Sequence, residues 1–274
     1  MSTTFELTIR PRKGWQPIDF KEIYLYWELL AFLIWRDVKI RYRQTLLGGA
    51  WALLQPFIAM LIFSFVFNRL AHVQSDGPPY KLFAYAGLVP WTFFSASVTQ
   101  SSNSLIANHQ LVAKVYFPRI FIPMGAVLAL LVDMAFSLGL FVAMAIFYHW
   151  HLTTAVFWLP VFLLGAILAA CGSGLILSAL NVSFRDVKYA VPFMVQMGLF
   201  VTPVIYPARY VPARWQALMG LNPMAGVVIG FRHALLGSEA NWQVIGVSLI
   251  TSVVLFVSGL LIFRRMETKF ADII

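Results

Sequence analysis

The sequence predicts an all-α polytopic membrane protein with six transmembrane helices, and three observations carry that prediction. Of its 274 residues, 60% are apolar and only 11% are charged, far from the roughly 25% charged residues of an ordinary soluble domain. Asp, Glu, Lys and Arg are absent from 44–68, 82–113, 134–184, 189–208 and 240–263. About 20 apolar residues in a helix match a hydrocarbon core of ~30 Å, so each stretch is long enough to cross a bilayer. The runs are continuous rather than alternating, and lipid offers backbone groups no hydrogen-bond partners, so helices are expected in place of barrel strands.

The first 45 residues read as a cytoplasmic tail and an amphipathic helix over 18–43 that lies along the membrane interface. Asp19 and Glu22 have the spacing of a capping box, and Ile18 and Ile23 that of a hydrophobic staple. An aromatic-rich body from Tyr24 to Trp35 follows, and then Arg36, Lys39 and Arg43 share one face. Such a helix sinks its aromatic side into the headgroup layer and offers its charges to lipid phosphates. It serves either as a plain anchor or as a device that gathers an anionic, lipid-linked substrate.

The transmembrane domain occupies 46–274, with spans near 50–68, 82–104, 120–148, 155–180, 189–206 and 242–263. The charge-free window 134–184 holds most of two crossings, and its polar interruption from His149 to Thr154 marks the bend. The loop 105–119, LIANHQLVAKVYFPR, reads as a short cytoplasmic helix stopped by Pro118, or else as a mere connector. In NVSFRDVKYAVP at 181–192, Arg185, Asp186 and Lys188 are expected to form a local ion pair, or else to touch a partner. The segment 207–241 is too apolar for a water-exposed loop and is broken by Pro207, Pro212, Gly220, Pro223 and Gly237. Two short helices dipping into the outer leaflet, a re-entrant hairpin over 207–238, would satisfy its backbone. Within it GVVIG at 226–230 has the small-xxx-small spacing that permits close helix contact.

Fifteen of the 20 Lys and Arg residues fall on the side of the termini and five on the other, so both termini are expected in the cytoplasm. The net charge of +9 suits loops beside anionic headgroups, and no nucleic acid partner is expected. Targeting is expected to come from the first span, because the residues before it are polar or amphipathic. Cys171, the only cysteine, reads as packing. Asp133 stands deep in the third span, where a charge costs on the order of 2.5–3.5 kcal/mol. It is either a hydrogen-bonded structural residue or part of a proton relay, although the spans offer no second buried acid and no Lys or Arg to complete one. His149 and His151 flank Trp150 as interfacial residues, and no Cys/His cluster with metal-ligand spacing occurs, so no metal is expected. There is no G-x-x-x-x-G-K-[ST] phosphate loop, H-E-x-x-H or G-x-S-x-G, hence no catalytic residues and no ATP site of that kind in this chain. Sparse, scattered acids argue against a membrane-embedded glycosyltransferase.

RDVKIRYRQTLLGGAWALLQP at 36–56, GLVPWTFF at 87–94, VYFPRIFIP at 115–123, NVSFRDV at 181–187, TPVIYP at 202–207, NPM at 222–224 and FRRMETKFADII at 263–274 occur in that order. In this series the chain resembles the permease subunits of bacterial polysaccharide and polyol-phosphate ABC exporters of the type-2 class. The resemblance implies a homodimer in the inner membrane, bound to two copies of a separate ATPase that holds the ATP and Mg, moving a lipid-linked glycan. O-antigen is the favoured cargo, capsule or teichoic acid the alternatives, and a drug or small-lipid pump the nearest rival. It further implies that the loop after the second span, with Asn108, Lys114 and Arg119, couples to the ATPase. Pro203, Tyr206, Pro207 and Asn222 then flank an outer gate. Arg41 and Arg43, at the membrane entrance, are candidates to bind the carrier's pyrophosphate, and Phe57, Phe193 and Phe200 to line the channel as sliding surfaces for sugar. A proton-coupled lipid or glycan flippase, which needs no ATPase, is the alternative from a different class.

Overall fold

The computed structural model describes residues 24–43, 50–72, 77–114, 117–268 and 270; the capping box and staple expected at 18–23 lie outside them. All regular structure among the described residues is helical. In chain order α1 (Trp27–Tyr42) is followed by α2 (Ala50–Phe63), which runs on through π-helical turns (Ser64–Leu70). Next come α3 (Tyr80–Ala107), the short α4 (His109–Lys114), α5 (Phe121–Ala129) and α6 (Leu131–Phe147). A 3-10 turn (Thr154–Trp158) opens α7 (Leu159–Ser183), and α8 (Val187–Val201), α9 (Ala213–Gly220), α10 (Pro223–Leu236) and α11 (Trp242–Glu267) complete the order.

Among the described residues five helical stretches are long and apolar enough to cross a membrane: Ala50–Leu70, Tyr80–Ala107, Phe121–Phe147, Thr154–Ser183 and Trp242–Glu267. Each matches an expected span to within a few residues. The expected span at 189–206 differs, since α8 has 15 residues and rises only about 22 Å. Its end has a local cause. Thr202 precedes Pro203 and takes an extended backbone (φ −87°, ψ 138°), the region a residue before proline prefers, and Pro203 has no N–H with which to continue the ladder. The bend expected at 149–154 is present, with His149 at φ 52° where the chain turns away from α6.

The central helix is α3, which packs against α2, α5, α6, α7, α8 and α10. In its most apolar 18-residue stretch 72% of residues are buried, against 17% for the α2 stretch and 22% for α11. Small residues allow these close approaches. A Cβ added to Gly172 of α7 would lie 2.6 Å from the backbone of Leu255, and one added to Gly259 of α11 would lie 2.6 Å from the Gly172 carbonyl oxygen, so here two backbones touch. The GVVIG spacing works on two partners within the chain: a Cβ at Gly226 would meet Ser248 Cβ of α11 at 2.5 Å, and one at Gly230 would meet the Phe162 ring of α7 at 2.5 Å.

One end of the molecule gathers α1, α4 and the ends of α3, α7 and α11, through a cluster that includes Leu33, Leu105, Val112, Ile120, Val182 and Phe263. The other end carries α9, α10 and the first turns of α3, α7 and α11. The ion pair expected among Arg185, Asp186 and Lys188 is not formed: all three are exposed, where water screens such a pair to within about 1 kcal/mol of nothing. Lys188 Nζ lies instead 5.9 Å from the centroid of the neighbouring Tyr189 ring.

Candidate functional site

At the α1 end, Arg36, Asp37, Ile40 and Arg41 face Gln100, Asn103, Ser104 and Asn108 of α3 across a cavity of about 500 Å³. The helical period brings positions 36, 37, 40 and 41 to one side. Arg36 is held by its neighbour, donating from Nε (3.0 Å) and Nη2 (2.8 Å) to Asp37 Oδ1. Arg41 donates from Nη1 to Asp133 Oδ2 and from Nη2 to Gln100 Oε1, and the Tyr42 hydroxyl donates to Asp133 Oδ1. Burial first, and then the bond to the Asp133 carboxylate, push the Tyr42 phenol above its ordinary value, so it stays a donor throughout the neutral range.

Asp133 is thus hydrogen-bonded, as one of its two expected readings has it, but it stands less deep than expected. Ser137, one turn further along α6, reaches the carbonyl of Ala52 at 3.4 Å, so Asp133 stands level with the start of α2 rather than midway along it. Its basic partner comes from α1, outside the apolar runs in which a relay partner was sought. Arg41 lines the cavity, whereas Arg43 is exposed beyond it. Two guanidiniums and three side-chain amides around one cavity are the donor set that phosphate oxygens accept from.

The three residues expected to couple to a partner sit in different settings. Asn108 ends α3, its side-chain amide donating to the Ser104 carbonyl at 2.8 Å. Lys114 is exposed at the tip of α4. Arg119 donates to the Glu267 carbonyl at 2.9 Å and so fastens the start of α5 to the end of α11.

At the opposite end the sequence reading missed its most constrained residue. Arg232, one of the five Lys and Arg residues on the side opposite the termini, is 4% exposed within α10. Its guanidinium donates to the carbonyls of Pro203 (Nη1, 2.6 Å), Val204 (Nη2), Phe83 (Nε, 3.2 Å) and Tyr206 (Nη1, 3.4 Å) and lies 3.6 Å from the centroid of the Phe83 ring. It thus satisfies the carbonyls left open where α8 unwinds. A lone Arg in an otherwise apolar run with Gly226 and Gly230 was the available signal, because a buried charge must be met by donors or acceptors.

The residues expected to flank an outer gate gather around this cage. Pro203 and Tyr206 supply carbonyls to it, and Tyr206 also donates its hydroxyl to the Phe200 carbonyl at 3.0 Å. Pro207 is buried beside them. Asn222 caps α10, accepting from Met224 N at 3.0 Å while donating to Thr202 Oγ1 at 2.8 Å.

Of the three candidate lining residues, Phe193 and Phe200 are exposed on α8, but Phe57 turns inward against the core. Gln196 is exposed between Phe193 and Phe200 on the same helical face. On α2 the exposed amide is Gln55, on the face of Trp51, Ile58 and Ile62. Polar side chains within spans normally face protein or water-filled space rather than lipid, so these faces differ from a purely lipid-contacting one. Among the described residues no group of three or more His, Cys, Asp or Glu side chains is arranged to hold a metal ion.

Residues 28–236 match the family model described as ABC-2 type transporter. The chain is 29% identical over 252 residues to the O-antigen export system permease protein RfbA of Klebsiella pneumoniae, covering 92% of this chain and 96% of that protein. It is 30% identical to the RfbA protein of Myxococcus xanthus, covering 92% and 97%. To the polysialic acid transport protein KpsM of Escherichia coli it is 24% identical, covering 86% and 92%.

Proposed function

As this chain belongs to the ABC-2 type transporter family, we propose that it is the permease subunit of an ATP-driven exporter that moves a lipid-linked polysaccharide across the bacterial inner membrane. O-antigen is the favoured cargo, because the relatives of that name are 29–30% identical over 92% of the chain while the polysialic acid transport protein is 24% identical. The structural observation that carries the reading is the pair of faces on α2 and α8, each with an exposed glutamine among exposed apolar or aromatic side chains. Aromatic faces and amides offer a passing sugar chain shallow, exchangeable contacts.

A single copy leaves these faces open, so two copies are inferred to enclose the path, each with its own separate ATPase carrying ATP and Mg. In this reading α8 is the fifth of six crossings, with α9 and α10 as a re-entrant hairpin that completes its depth. Both termini are cytoplasmic, in keeping with the fifteen-to-five distribution of Lys and Arg. The α1 cavity then faces the cytosol, where Arg41 can exchange the Asp133 carboxylate for a carrier phosphate. The Arg41–Asp133 pair also weighs against the proton-coupled alternative, because the carboxylate already has a cationic partner.

Reconstitution into vesicles tests the proposal. Glycan movement is expected only with the partner ATPase and ATP present; movement by the chain alone under a proton gradient would overturn it.

A further inference from the structure

We propose that the cavity between α9, the first turn of α11 and the strap 237–241 is a carbohydrate subsite that holds a short stretch of glycan on the side opposite α1. This rests on the polysaccharide-exporter reading. The cavity measures about 840 Å³, within the ~300–1,000 Å³ range of small-molecule sites. The 26 residues of α11, about 39 Å of helix, separate it from the α1 end. A glycan exported from the α1 end would reach this cavity after passing the length of the bundle.

The chemistry of the lining suits sugar. Gln216, Asn241 and Gln243 offer amides, Glu239 a carboxylate, Ser238 a hydroxyl and Trp242 an indole. Amides donate to or accept from sugar hydroxyls, a carboxylate accepts from them, and an indole face packs on sugar C–H groups. Ser238 is 8% exposed, and its hydroxyl is buried in the cavity wall without a hydrogen-bond partner, which leaves an unmet polar group beside the site.

The lining is also held in place, which lowers the cost of ordering it on binding. Gly237 ends α10 at φ 67°, where a Cβ would come 3.0 Å from Thr153 Cγ2. The Ser238 carbonyl lies 2.8 Å from His233 Nδ1, Asn241 caps α11 by accepting from Val244 N at 3.3 Å, and its amide donates to Gln216 Oε1 at 3.3 Å. The Trp242 ring is flanked by Trp158 and His233, each with centroids 5.3 Å away.

The test places the photo-crosslinking residue p-benzoylphenylalanine at Gln216 or Gln243 in the full exporter complex, in cells making their own export glycan, which is the probe. Phe193 marks the proposed channel face, and Ile250, exposed on α11, serves as the lipid-facing control. A sugar-stained ladder is expected on the chain at Gln216, Gln243 and Phe193, at least tenfold above Ile250. Adding Trp242→Ala, which removes the exposed lining indole, should cut labelling at Gln243 several-fold while leaving Phe193 labelling unchanged. A ladder at Phe193 with none at Gln216 or Gln243 would overturn the subsite and spare the exporter reading. No ladder at any position would overturn both, and equal labelling at Ile250 would overturn the subsite.

Discussion

Replacing Arg232 with methionine keeps an unbranched apolar stem and removes the guanidinium that joins α10 to the unwound end of α8. The cost follows from its acceptors. The Phe83 carbonyl sits inside α3 and has helical N–H groups within reach, and the Tyr206 bond is long at 3.4 Å, so Pro203 and Val204 lose the most. Leaving a buried acceptor unmet costs about 1–3 kcal/mol, which gives roughly 2–6 kcal/mol for two. Two effects oppose this. Water can enter from the adjoining cavity, of which Arg232 forms a wall, and the variant no longer buries a charge. About 2–3 kcal/mol should remain, equivalent to a fall of roughly 4–12 °C in melting temperature for a chain of this size. Thermal melts followed by size-exclusion chromatography in detergent measure it, and Arg232→Lys, which retains some donors on a shorter reach, should fall between. If Arg232→Met melts within about 1 °C of the parent, the cage does not hold this end together and the reasoning is refuted.

The Arg41→Ala and Asp133→Ala variants should each lower stability, and the double variant should be no worse than either, with a coupling of about 0.5–3 kcal/mol; strictly additive melts would show that the pair does not interact. Tyr42→Phe should cost the same at about pH 6 and about pH 9. The folded phenol titrates above its unfolded value, so its contribution is present below the unfolded value near 10 and is lost only as pH rises through the still higher folded one; a penalty that disappears by about pH 9 would contradict this. Lys114→Glu, exposed on α4, should reduce recovery of the ATPase with the permease or transport-linked ATP turnover several-fold, and full turnover would remove the coupling role. Gln196→Leu should slow export several-fold with an unchanged melt, because the side chain is exposed in the isolated chain; normal export would return that face of α8 to lipid.

The long helices were legible because charge exclusion and length report directly on the bilayer, and five expected spans match helices to within a few residues. The break at 149–154 was legible for the same reason. The end of α8 was less so: Pro203 stood in the sequence, yet the apolar run through it favoured a longer helix, and backbone geometry prevailed over composition. Individual polar partners were hardly legible. Nothing local links Arg41 to Asp133, 92 residues apart, or Arg232 to carbonyls as far away as Phe83. The count of basic residues placed Arg232 on the outward side without saying what surrounds it, and four carbonyls take the place of water there. Phe57 was chosen by its span and not by its face, and it packs against the core while Gln55, two positions earlier, is exposed.

The two polar clusters have a common physical role that composition hides. Each lies where a helix must begin or end near lipid, and each converts backbone or charge that lipid cannot solvate into internally satisfied groups. Arg41, Tyr42 and Gln100 tie the end of α1 to α3 and α6, while Arg232 closes the gap after Val201. With both ends fixed in this way, the helices between them can stay loosely covered: α2 and α8 keep Trp51, Gln55, Phe193, Gln196 and Phe200 exposed. A chain that depended on burying those side chains for its own stability could not present them to a moving substrate. Here the fold is secured by α3, α7, α10 and α11, and the exposed faces of α2 and α8 are left out of that packing, as the proposed path requires.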